Sequence, residues 1–223
     1  MIPSLAVILP AGGSSSRFGS DKLSLPLDGV PVLLRTLSLF RRQDVRQIVV
    51  ATSSPTHREL LRGLSEVTVV SGGTCRAESV RNALRSLGSG LELVAVHDAA
   101  RPLTPRSLID RCIAHAARHG SAVPALPVKL TIKLADGPLP ARVMQTPPRR
   151  SLWEMQTPQI MRRDRLLAAF ERCPIPLEQV TDDAQLLELL GDEVWLVEGD
   201  ERNLKLTTPG DVALAEYWLR QRG

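Results

Sequence analysis

The chain has 223 residues, of which 43% are hydrophobic and 23% are charged, a balance that is typical of globular proteins and excludes global disorder. The length fits one domain better than two, so we expect a single domain over residues 1–223. The net charge is +4, and only four of the 28 basic residues are lysines. Because lysine is scarce, Lys22, Lys129, Lys133 and Lys205 are each candidates for a specific role.

The charge pattern argues against a nucleic-acid partner, because basic residues are mixed with acidic ones and form no dense tract. No apolar run reaches the roughly 18 residues that a transmembrane helix needs, and no secretory signal pattern is present. We therefore expect a cytoplasmic protein without a membrane partner. Cys75, Cys112 and Cys173 are odd in number and widely spaced, which predicts reduced thiols and no zinc site.

Short β-branched apolar runs alternate with segments of helical period, the pattern of βαβ units. The pattern predicts an α/β fold, a mostly parallel twisted sheet with helices on both faces, similar to the Rossmann architecture. The predicted strands are 5–9, 47–51, 67–70, 91–96, 121–126, 194–197 and 204–206. The predicted helices are 32–40, 56–64, 76–87, 105–119, 163–172, 182–190 and 209–220. Thr104 is the expected N-cap of the fourth helix, with Pro105 in its first turn.

Residues 127–150 depart from this alternation. Here valine, leucine and isoleucine alternate with polar residues around the dipeptide Asp136-Gly137. Alternation on both sides of an Asp-Gly pair indicates a β-hairpin. We therefore expect a β-arm that projects from the sheet.

The turn after the first predicted strand carries the strongest local motif. Residues 9–22 are Leu-Pro-Ala-Gly-Gly-Ser-Ser-Ser-Arg-Phe-Gly-Ser-Asp-Lys. Small residues let main-chain N–H groups approach a phosphate, and Arg17 and Lys22 add two cations. The motif is neither a Walker loop nor a GxGxxG fingerprint, and a flexible turn with surface charges is the alternative interpretation. It resembles the loop of nucleotidyltransferases that activate sugars and alcohol phosphates, including the molybdenum-cofactor guanylyl- and cytidylyltransferases.

Further motifs follow in a fixed order. Gly72-Gly73 and Ser79-Val80 precede Val-His-Asp-Ala-Ala-Arg-Pro at 96–102, Gln-Thr-Pro-Gln at 156–159, Thr-Asp-Asp-Ala at 181–184 and Asn-Leu-Lys-Leu-Thr-Thr-Pro at 203–209. Together with the loop they resemble the 2-C-methyl-D-erythritol 4-phosphate cytidylyltransferases over nearly the whole chain. The resemblance implies transfer of CMP from CTP to an alcohol phosphate, with release of pyrophosphate, in the non-mevalonate route to isoprenoid precursors.

The resemblance also implies roles for individual residues in binding CTP and in catalysis. It implies a CTP site made by Ala11, Gly12, Gly13, Gly73, Ser79 and Asp98. The catalytic cations that it implies are Arg17, Lys22 and Lys205.

Asp98 is also the expected ligand of Mg²⁺. It follows a buried strand at the sheet edge where α/β folds bind ligands, and Mg²⁺ prefers one or two carboxylates together with substrate phosphates. Structural alternatives exist for several of these residues. Asp98 fits a loop cap, Gly72-Gly73 a plain turn, Ser79 a surface position and Lys205 an outward-facing edge lysine.

For the alcohol phosphate, the resemblance implies contacts from Arg101, Thr131, Arg149 and Thr181. The arms of this family exchange across a homodimer, so the resemblance predicts a homodimer formed through 127–150, with some of these contacts coming from the partner. Thr181 also fits a helix N-cap, and Arg101 also fits a solvated surface residue.

The chain departs from the family pattern mainly in the arm. Leu130 stands where the family usually has aspartate, and Pro148 replaces the aspartate before Arg149. Arg150 is an alternative to Arg149, and Ser15 replaces a glycine in the loop. The departures in the arm leave a ribitol-phosphate cytidylyltransferase as an alternative, and the loop at 9–22 leaves a molybdopterin-type nucleotidyltransferase. A non-catalytic nucleotide-binding relative is a third alternative, although it should lack the cations Arg17, Lys22 and Lys205.

Overall fold

The computed structural model describes residues 4–12 and 21–221. The strands are β1 Leu5–Pro10, β2 Pro26–Leu27, β3 Val30–Pro31, β4 Val45–Ala51, β5 Val67–Val70, β6 Leu93–Val96, β7 Ser121–Pro127, β8 Leu134–Ala135, β9 Val143–Gln145, β10 Trp153–Met155, β11 Gln159–Arg162 and β12 Leu196–Glu198. The helices are α1 Val32–Ser38, α2 Pro55–Leu60, α3 Arg76–Arg85, α4 Arg106–His119, α5 Arg163–Glu171, α6 Asp183–Leu190 and α7 Pro209–Arg220. Within these ranges, no helix has the length and apolar character to cross a membrane.

The main sheet has the order β10-β7-β11-β6-β1-β4-β5, with β12 paired to β7. The pairs β1–β4, β4–β5, β1–β6 and β7–β12 are parallel, which confirms the predicted, mostly parallel sheet. Sequence patterning missed β10 and β11, both of which run antiparallel to their neighbours. From β1 the chain builds outward through β4 and β5 and then returns to the other side of β1 as β6. The strand order therefore reverses between β1 and β6, and α/β sheets bind ligands at such a point.

Helices cover both faces of this sheet, as predicted. Leu5, Val7 and Leu9 on β1 pack in a core with residues from α1, α4 and α7, whereas Ala6 and Ile8 pack in a second core with α3, α5 and α6. All five side chains are fully buried. A strand that is buried on both faces is apolar at every position, which explains why β1 is easily recognised in the sequence.

Two local predictions were wrong. Thr104 does not cap α4: its hydroxyl lies 2.7 Å from Asn203 Oδ1, and Pro105 occupies the N-cap position without a side-chain hydrogen bond. The predicted strand at 204–206 is absent from the described part of the chain. The Leu206 N–H instead donates to Ala100 O at 2.8 Å, which places this irregular segment beside the end of β6.

The predicted arm contains the expected hairpin. Strands β8 and β9 pair antiparallel within residues 127–150. Its apolar side chains point into solvent: Leu130 is 77% exposed, Leu139 is 89% exposed and Val143 is 53% exposed. This is the reverse of the arrangement in the main sheet, where apolar side chains are buried.

Helix α7 begins with a capping box just after Lys205. The carboxylate of Asp211 accepts hydrogen bonds from the N–H groups of Thr207 and Thr208, both at 2.7 Å, and Thr208 Oγ1 accepts from Asp211 N–H at 3.4 Å. Partial burial would raise the pKa of Asp211, but the hydrogen bonds from Thr207 and Thr208 hold it below its ordinary value of 3.8. The ionised carboxylate therefore stabilises the start of α7.

Replacing Asp211 by alanine is expected to lower the free energy of unfolding by about 1 kcal/mol at pH 7. Because the folded pKa is depressed, this contribution is present above pH 4 or so and is lost as the pH falls through the folded pKa. Urea unfolding of wild type and Asp211→Ala at pH 7 and at pH 3 measures both effects. A difference that is the same at the two pH values would contradict the assignment.

Candidate active site

A pocket opens where the strand order reverses, at the carboxyl ends of β1 and β6. After β1 the chain contributes Ala11 and Gly12, and after β6 it contributes Asp98. Four polar or charged side chains from other parts of the chain also line the pocket, namely Lys22, Arg76, Ser79 and Lys205. Six residues predicted for the site are therefore brought together, and Arg76 joins them.

The carboxylate of Asp98 is the electrostatic centre of this pocket. Its Oδ1 lies 3.2 Å from Arg76 Nε, and its Oδ2 lies 3.0 Å from Lys205 Nζ and 3.4 Å from Arg101 Nε. Burial would raise the pKa of Asp98, but the charges of Arg76, Lys205 and Arg101 outweigh burial and hold it well below its ordinary range. Asp98 is ionised, and three cations surround it.

Arg76 joins Asp98 to a second buried carboxylate that sequence analysis did not assign to the site. Arg76 Nη2 lies 2.8 Å from Asp183 Oδ2, although this contact lacks hydrogen-bond geometry. Burial raises the pKa of Asp183, and the nearby charge of Arg76 opposes that rise. Asp183 belongs to the Thr-Asp-Asp-Ala motif, so an acidic pair at a helix start was the available signal. Arg76 had none, because arginine is common in this chain.

Buried polar side chains hold the Asp98 turn in place. The Asp98 N–H donates to Thr157 Oγ1 at 3.0 Å, and Asn203 Nδ2 donates to Thr157 O at 2.7 Å. The side chains of Thr157 and Asn203 are almost completely buried. Three of the sequence motifs, at 96–102, 156–159 and 203–209, therefore meet in one hydrogen-bond network. Lys205 follows Asn203 by two residues, so the network also places this lysine beside Asp98.

His97 is part of this network and is neutral. Burial lowers the pKa of His97 to about 4. Its Nδ1 lies 3.1 Å from Thr157 Oγ1 and its Nε2 lies 3.2 Å from Arg101 O. The Thr157 hydroxyl is free to donate to Nδ1, which leaves the proton on Nε2 for Arg101 O. Both ring nitrogens are thus engaged in support of the Asp98 turn.

Close packing explains two glycines near Ser79: Gly12 lines the pocket, whereas Gly73 lies beside Ser79 and is not among the lining residues. The Gly73 N–H donates to Ser79 Oγ at 2.9 Å, and the Ser79 hydroxyl donates to Cys75 O at 3.0 Å. A Cβ atom at Gly73 would lie 2.3 Å from Glu78 Cγ, and one at Gly12 would lie 3.3 Å from Ser79 Oγ. Ser79 is almost completely buried and is not the surface residue that the alternative interpretation described.

The residues expected at the alcohol phosphate are dispersed. Arg101 is buried, and its Nη1 donates to Asn203 O at 2.6 Å, so it is not the solvated arginine of the alternative interpretation. Thr131 and Arg149 lie in the exposed arm, where Arg149 Nη1 donates to Lys129 O at 2.9 Å. Neither of these two residues lines the pocket of their own chain.

Thr181 is exposed and is not a helix cap. The N-cap of α6 is Asp182, whose Oδ1 accepts from Gln185 N–H at 2.9 Å. The Thr181 N–H and hydroxyl both donate to Gln185 Oε1, at 2.8 and 3.1 Å. Gly13 and Arg17, the two remaining predicted residues, lie outside the described residues.

Comparison with known proteins identifies the family. The family model described as "IspD: 2-C-methyl-D-erythritol 4-phosphate cytidylyltransferase" matches residues 5–221. The chain belongs to this family. A relative of that name from Synechococcus elongatus is 44% identical, with 97% of this chain and 96% of the relative covered. The chloroplastic enzyme of that name from Oryza sativa is 37% identical, with 98% of this chain and 75% of the relative covered.

Solved structures of the family have the same fold. The crystal structure of the Thermus thermophilus enzyme matches with a TM-score of 0.78 at 36% identity, covering 96% of this chain and 98% of that one. The 4-diphosphocytidyl-2C-methyl-D-erythritol synthase of Anaerococcus prevotii matches with a TM-score of 0.84 at 27% identity, covering 98% and 99% of the two chains. Membership of this family favours a methylerythritol-phosphate cytidylyltransferase over the ribitol-phosphate and molybdopterin-type alternatives.

Replacing Arg76 by methionine keeps the apolar stem and removes the cation that Asp98 and Asp183 share. We expect a loss of about 3 kcal/mol or more in the free energy of unfolding at pH 8. Burial already raises the folded pKa of Asp183, and loss of Arg76 should raise it further, so the stability of the variant should fall as the pH increases from the unfolded value toward that folded pKa. Urea unfolding at pH 5 and pH 8 measures the trend.

Arg81→Met is the matched control. Arg81 lies on the same helix and forms a partly exposed ion pair with Glu78 at 3.0 Å. Such a pair contributes less than about 1 kcal/mol, so this variant should be nearly as stable as wild type at both pH values. Equal losses in the two variants would show that Arg76 has no special electrostatic role.

Proposed function

We propose that the protein transfers CMP from CTP to 2-C-methyl-D-erythritol 4-phosphate and releases pyrophosphate. One observation supports this most strongly: Asp98, Lys22, Arg76 and Lys205 line one pocket at the point where the strand order reverses. Cations outnumber the carboxylates there, which suits a triphosphate. Membership of the cytidylyltransferase family supports CTP as the donor and methylerythritol phosphate as the acceptor.

The reaction needs positioned cations more than a general base. The acceptor phosphate is already an anion at neutral pH and attacks the α-phosphorus of CTP in line, so charge repulsion and alignment make up most of the barrier. Lys22 and Arg17 would neutralise the triphosphate, and Lys205 would lie near the α-phosphate. His97 is no candidate base, because both of its ring nitrogens are engaged inside the protein.

The cytosine end of the pocket would be formed by main-chain groups and one hydroxyl. The candidates are Ala11, Gly12, Gly13, Gly73 and Ser79, as expected from the sequence. The close packing of Gly12 against Ser79 supports this proposal, because both residues line the pocket and a Cβ atom at Gly12 would crowd the Ser79 hydroxyl. Membership of the cytidylyltransferase family supports cytosine as the base that these groups bind.

A divalent cation such as Mg²⁺ fits this site only together with the triphosphate. Among the described residues there is no cluster of three potential protein ligands, and Mg²⁺ commonly binds one carboxylate plus substrate phosphates. Asp98 would be that carboxylate. Its Oδ2 is paired with Lys205 at 3.0 Å, and Lys205 can turn toward a phosphate because its side chain is 41% exposed. The bound metal would neutralise charge on the triphosphate.

The arm would complete the site of a second subunit. Thr131 and Arg149 are exposed and lie away from the pocket of their own chain, and apolar side chains of the arm are exposed beside them. Exposed apolar surface of this kind is typical of protein–protein interfaces. We therefore propose a homodimer through 127–150, in which Thr131 and Arg149 bind the acceptor phosphate of the partner's site together with Arg101 and Thr181.

Pyrophosphate release with purified protein and Mg²⁺ tests the reaction. CTP, ATP, GTP and UTP are each combined with methylerythritol phosphate and with ribitol 5-phosphate. We expect turnover with CTP and methylerythritol phosphate, and a kcat/KM at least about tenfold lower for every other pair. Turnover with ribitol phosphate and none with methylerythritol phosphate would contradict the proposed acceptor.

Subunit complementation tests the role of the arm. Lys22→Ala and the double variant Thr131→Ala/Arg149→Ala should each lose about a hundredfold in kcat/KM as homodimers. A heterodimer of the two, isolated with two different affinity tags, should regain about half of the wild-type activity, because one of its two sites is intact.

The opposite result is equally clear. If the arm acted within its own chain, both sites of the heterodimer would be defective and activity would stay low. Arg118→Ala is the control, because Arg118 is exposed on α4 away from the pocket. It should be fully active as a homodimer and in a heterodimer with wild type.

A further inference from the structure

The turn that carries Lys22 is tied to α2 by a histidine that has no part in the proposed reaction. His57 lies in the first turn of α2, and its side chain is buried. Its Nε2 lies 2.9 Å from both carboxylate oxygens of Asp21, the residue immediately before Lys22. Its Nδ1 lies 2.9 Å from Thr52 Oγ1. Both ring nitrogens therefore have a partner, on opposite sides of the ring.

The hydrogen bonds around His57 form a chain in which each group donates to the next, from Ser54 through Thr52 and His57 to Asp21. The Ser54 N–H donates to Thr52 Oγ1 at 3.2 Å, which leaves the Thr52 hydroxyl proton for His57 Nδ1. His57 then carries its proton on Nε2 and donates it to the carboxylate of Asp21. Thr52 is fully buried at the end of β4, and its N–H donates to Val70 O at 2.9 Å. The contacts thus connect the main sheet to Asp21.

Asp21 in turn shapes the backbone around Lys22. Its Oδ1 accepts from Leu23 N–H at 3.2 Å, and its Oδ2 accepts from Ser24 Oγ at 2.6 Å. The Asp21 O also accepts from Ser24 N–H at 3.3 Å. These bonds close a turn over 21–24 with Lys22 inside it, and the Lys22 side chain lines the pocket that also contains Asp98.

The His57–Asp21 pair joins a buried side chain to a surface turn, as the exposed fractions of the two side chains show. The side chain of Asp21 is 40% exposed, whereas that of His57 is 6% exposed. A buried imidazole costs free energy unless both nitrogens are satisfied, and here one of them is satisfied only by a carboxylate on a surface turn. Deleting that carboxylate would leave a buried donor unpaired, so the turn and the imidazole fix each other.

We propose that His57, acting through Asp21, is a positioning residue that sets the direction of Lys22 toward the phosphates of the bound nucleotide. A lysine ammonium sits on a flexible stem, so its reach depends on how its backbone is held. The inference rests on the proposed function, in which Lys22 contacts the triphosphate.

A double-mutant cycle on CTP affinity, measured by isothermal titration calorimetry, tests the proposal. His57→Leu keeps side-chain bulk and removes both ring nitrogens. We expect it to weaken CTP binding about tenfold in the wild-type background, and less than about twofold in the Lys22→Ala background, because the lysine through which His57 acts is then absent. Equal losses in the two backgrounds, or no loss in wild type, would overturn the proposal.

Three further variants separate positioning from stability. Asp21→Ala should weaken CTP binding in the wild-type background and much less in the Lys22→Ala background, as expected for His57→Leu. Because Asp21 is partly exposed, this variant keeps the test available if His57→Leu folds poorly. His57→Gln keeps a donor toward Asp21 and should recover most of the CTP affinity. Leu61→Ala removes buried side-chain volume just after the same helix, so it should lower the melting temperature and leave CTP affinity within about twofold. A loss of affinity in Leu61→Ala as large as that in His57→Leu would contradict the proposal.

The proposed reaction is judged separately, on the wild-type protein. A wild-type protein that binds CTP but releases no pyrophosphate would contradict the proposed reaction. The double-mutant cycle would still report on His57, because it measures CTP affinity and not turnover. Additive losses in the cycle, with normal wild-type turnover, would contradict only the role of His57.

Discussion

A single buried carboxylate organises the pocket. Asp98 pairs with Arg76 at the start of α3 and with Lys205 before α7, two distant segments, and with Arg101 three residues further along its own turn. A buried charge is tolerated only when it is paired and hydrogen-bonded, so these segments must meet for the protein to fold. The same requirement places Lys205 beside the pocket. Folding and the assembly of the candidate site therefore depend on the same interaction.

The network behind Asp98 explains why the motifs of this chain come as a set. Asn203 reaches Thr157, Thr157 reaches both His97 and the Asp98 main chain, and Arg101 reaches back to Asn203. Each of these side chains is buried, so losing one partner leaves another polar group unsatisfied. A substitution at Asn203 would therefore disturb the positions of both Lys205 and Asp98.

The sequence was most informative where one physical requirement dominates a segment. A strand buried on both faces, such as β1, is apolar throughout, and α7 begins and ends where its Pro209 and its periodicity predicted. Strands β10 and β11 were missed because they are short and their pairing with β7 depends on distant residues. Thr104 has the sequence context of a helix cap, but a buried partner in Asn203 takes its hydroxyl.

Small residues and two of the four lysines pointed to positions that line the pocket. Ala11, Gly12, Lys22, Ser79, Asp98 and Lys205 all line the pocket. Arg76 and Asp183 were not assigned to it, since their importance arises from a shared ion pair that links residues far apart in the chain. Tertiary pairing of this kind leaves no local pattern. Thr131 and Arg149 were predicted from resemblance, and within one chain they lie in an arm away from the pocket.

The exposure of these cations has a mechanical consequence. Arg101 is nine-tenths buried and Arg76 is held between two carboxylates, so neither can swing without breaking buried contacts. Lys205 is 41% exposed and is the looser of the three partners of Asp98. Before a nucleotide arrives, its ammonium neutralises Asp98 much as a bound cation would. Of the three cations around Asp98, Arg76 and Arg101 are therefore rigid, and Lys205 is the one that can adjust to an incoming triphosphate.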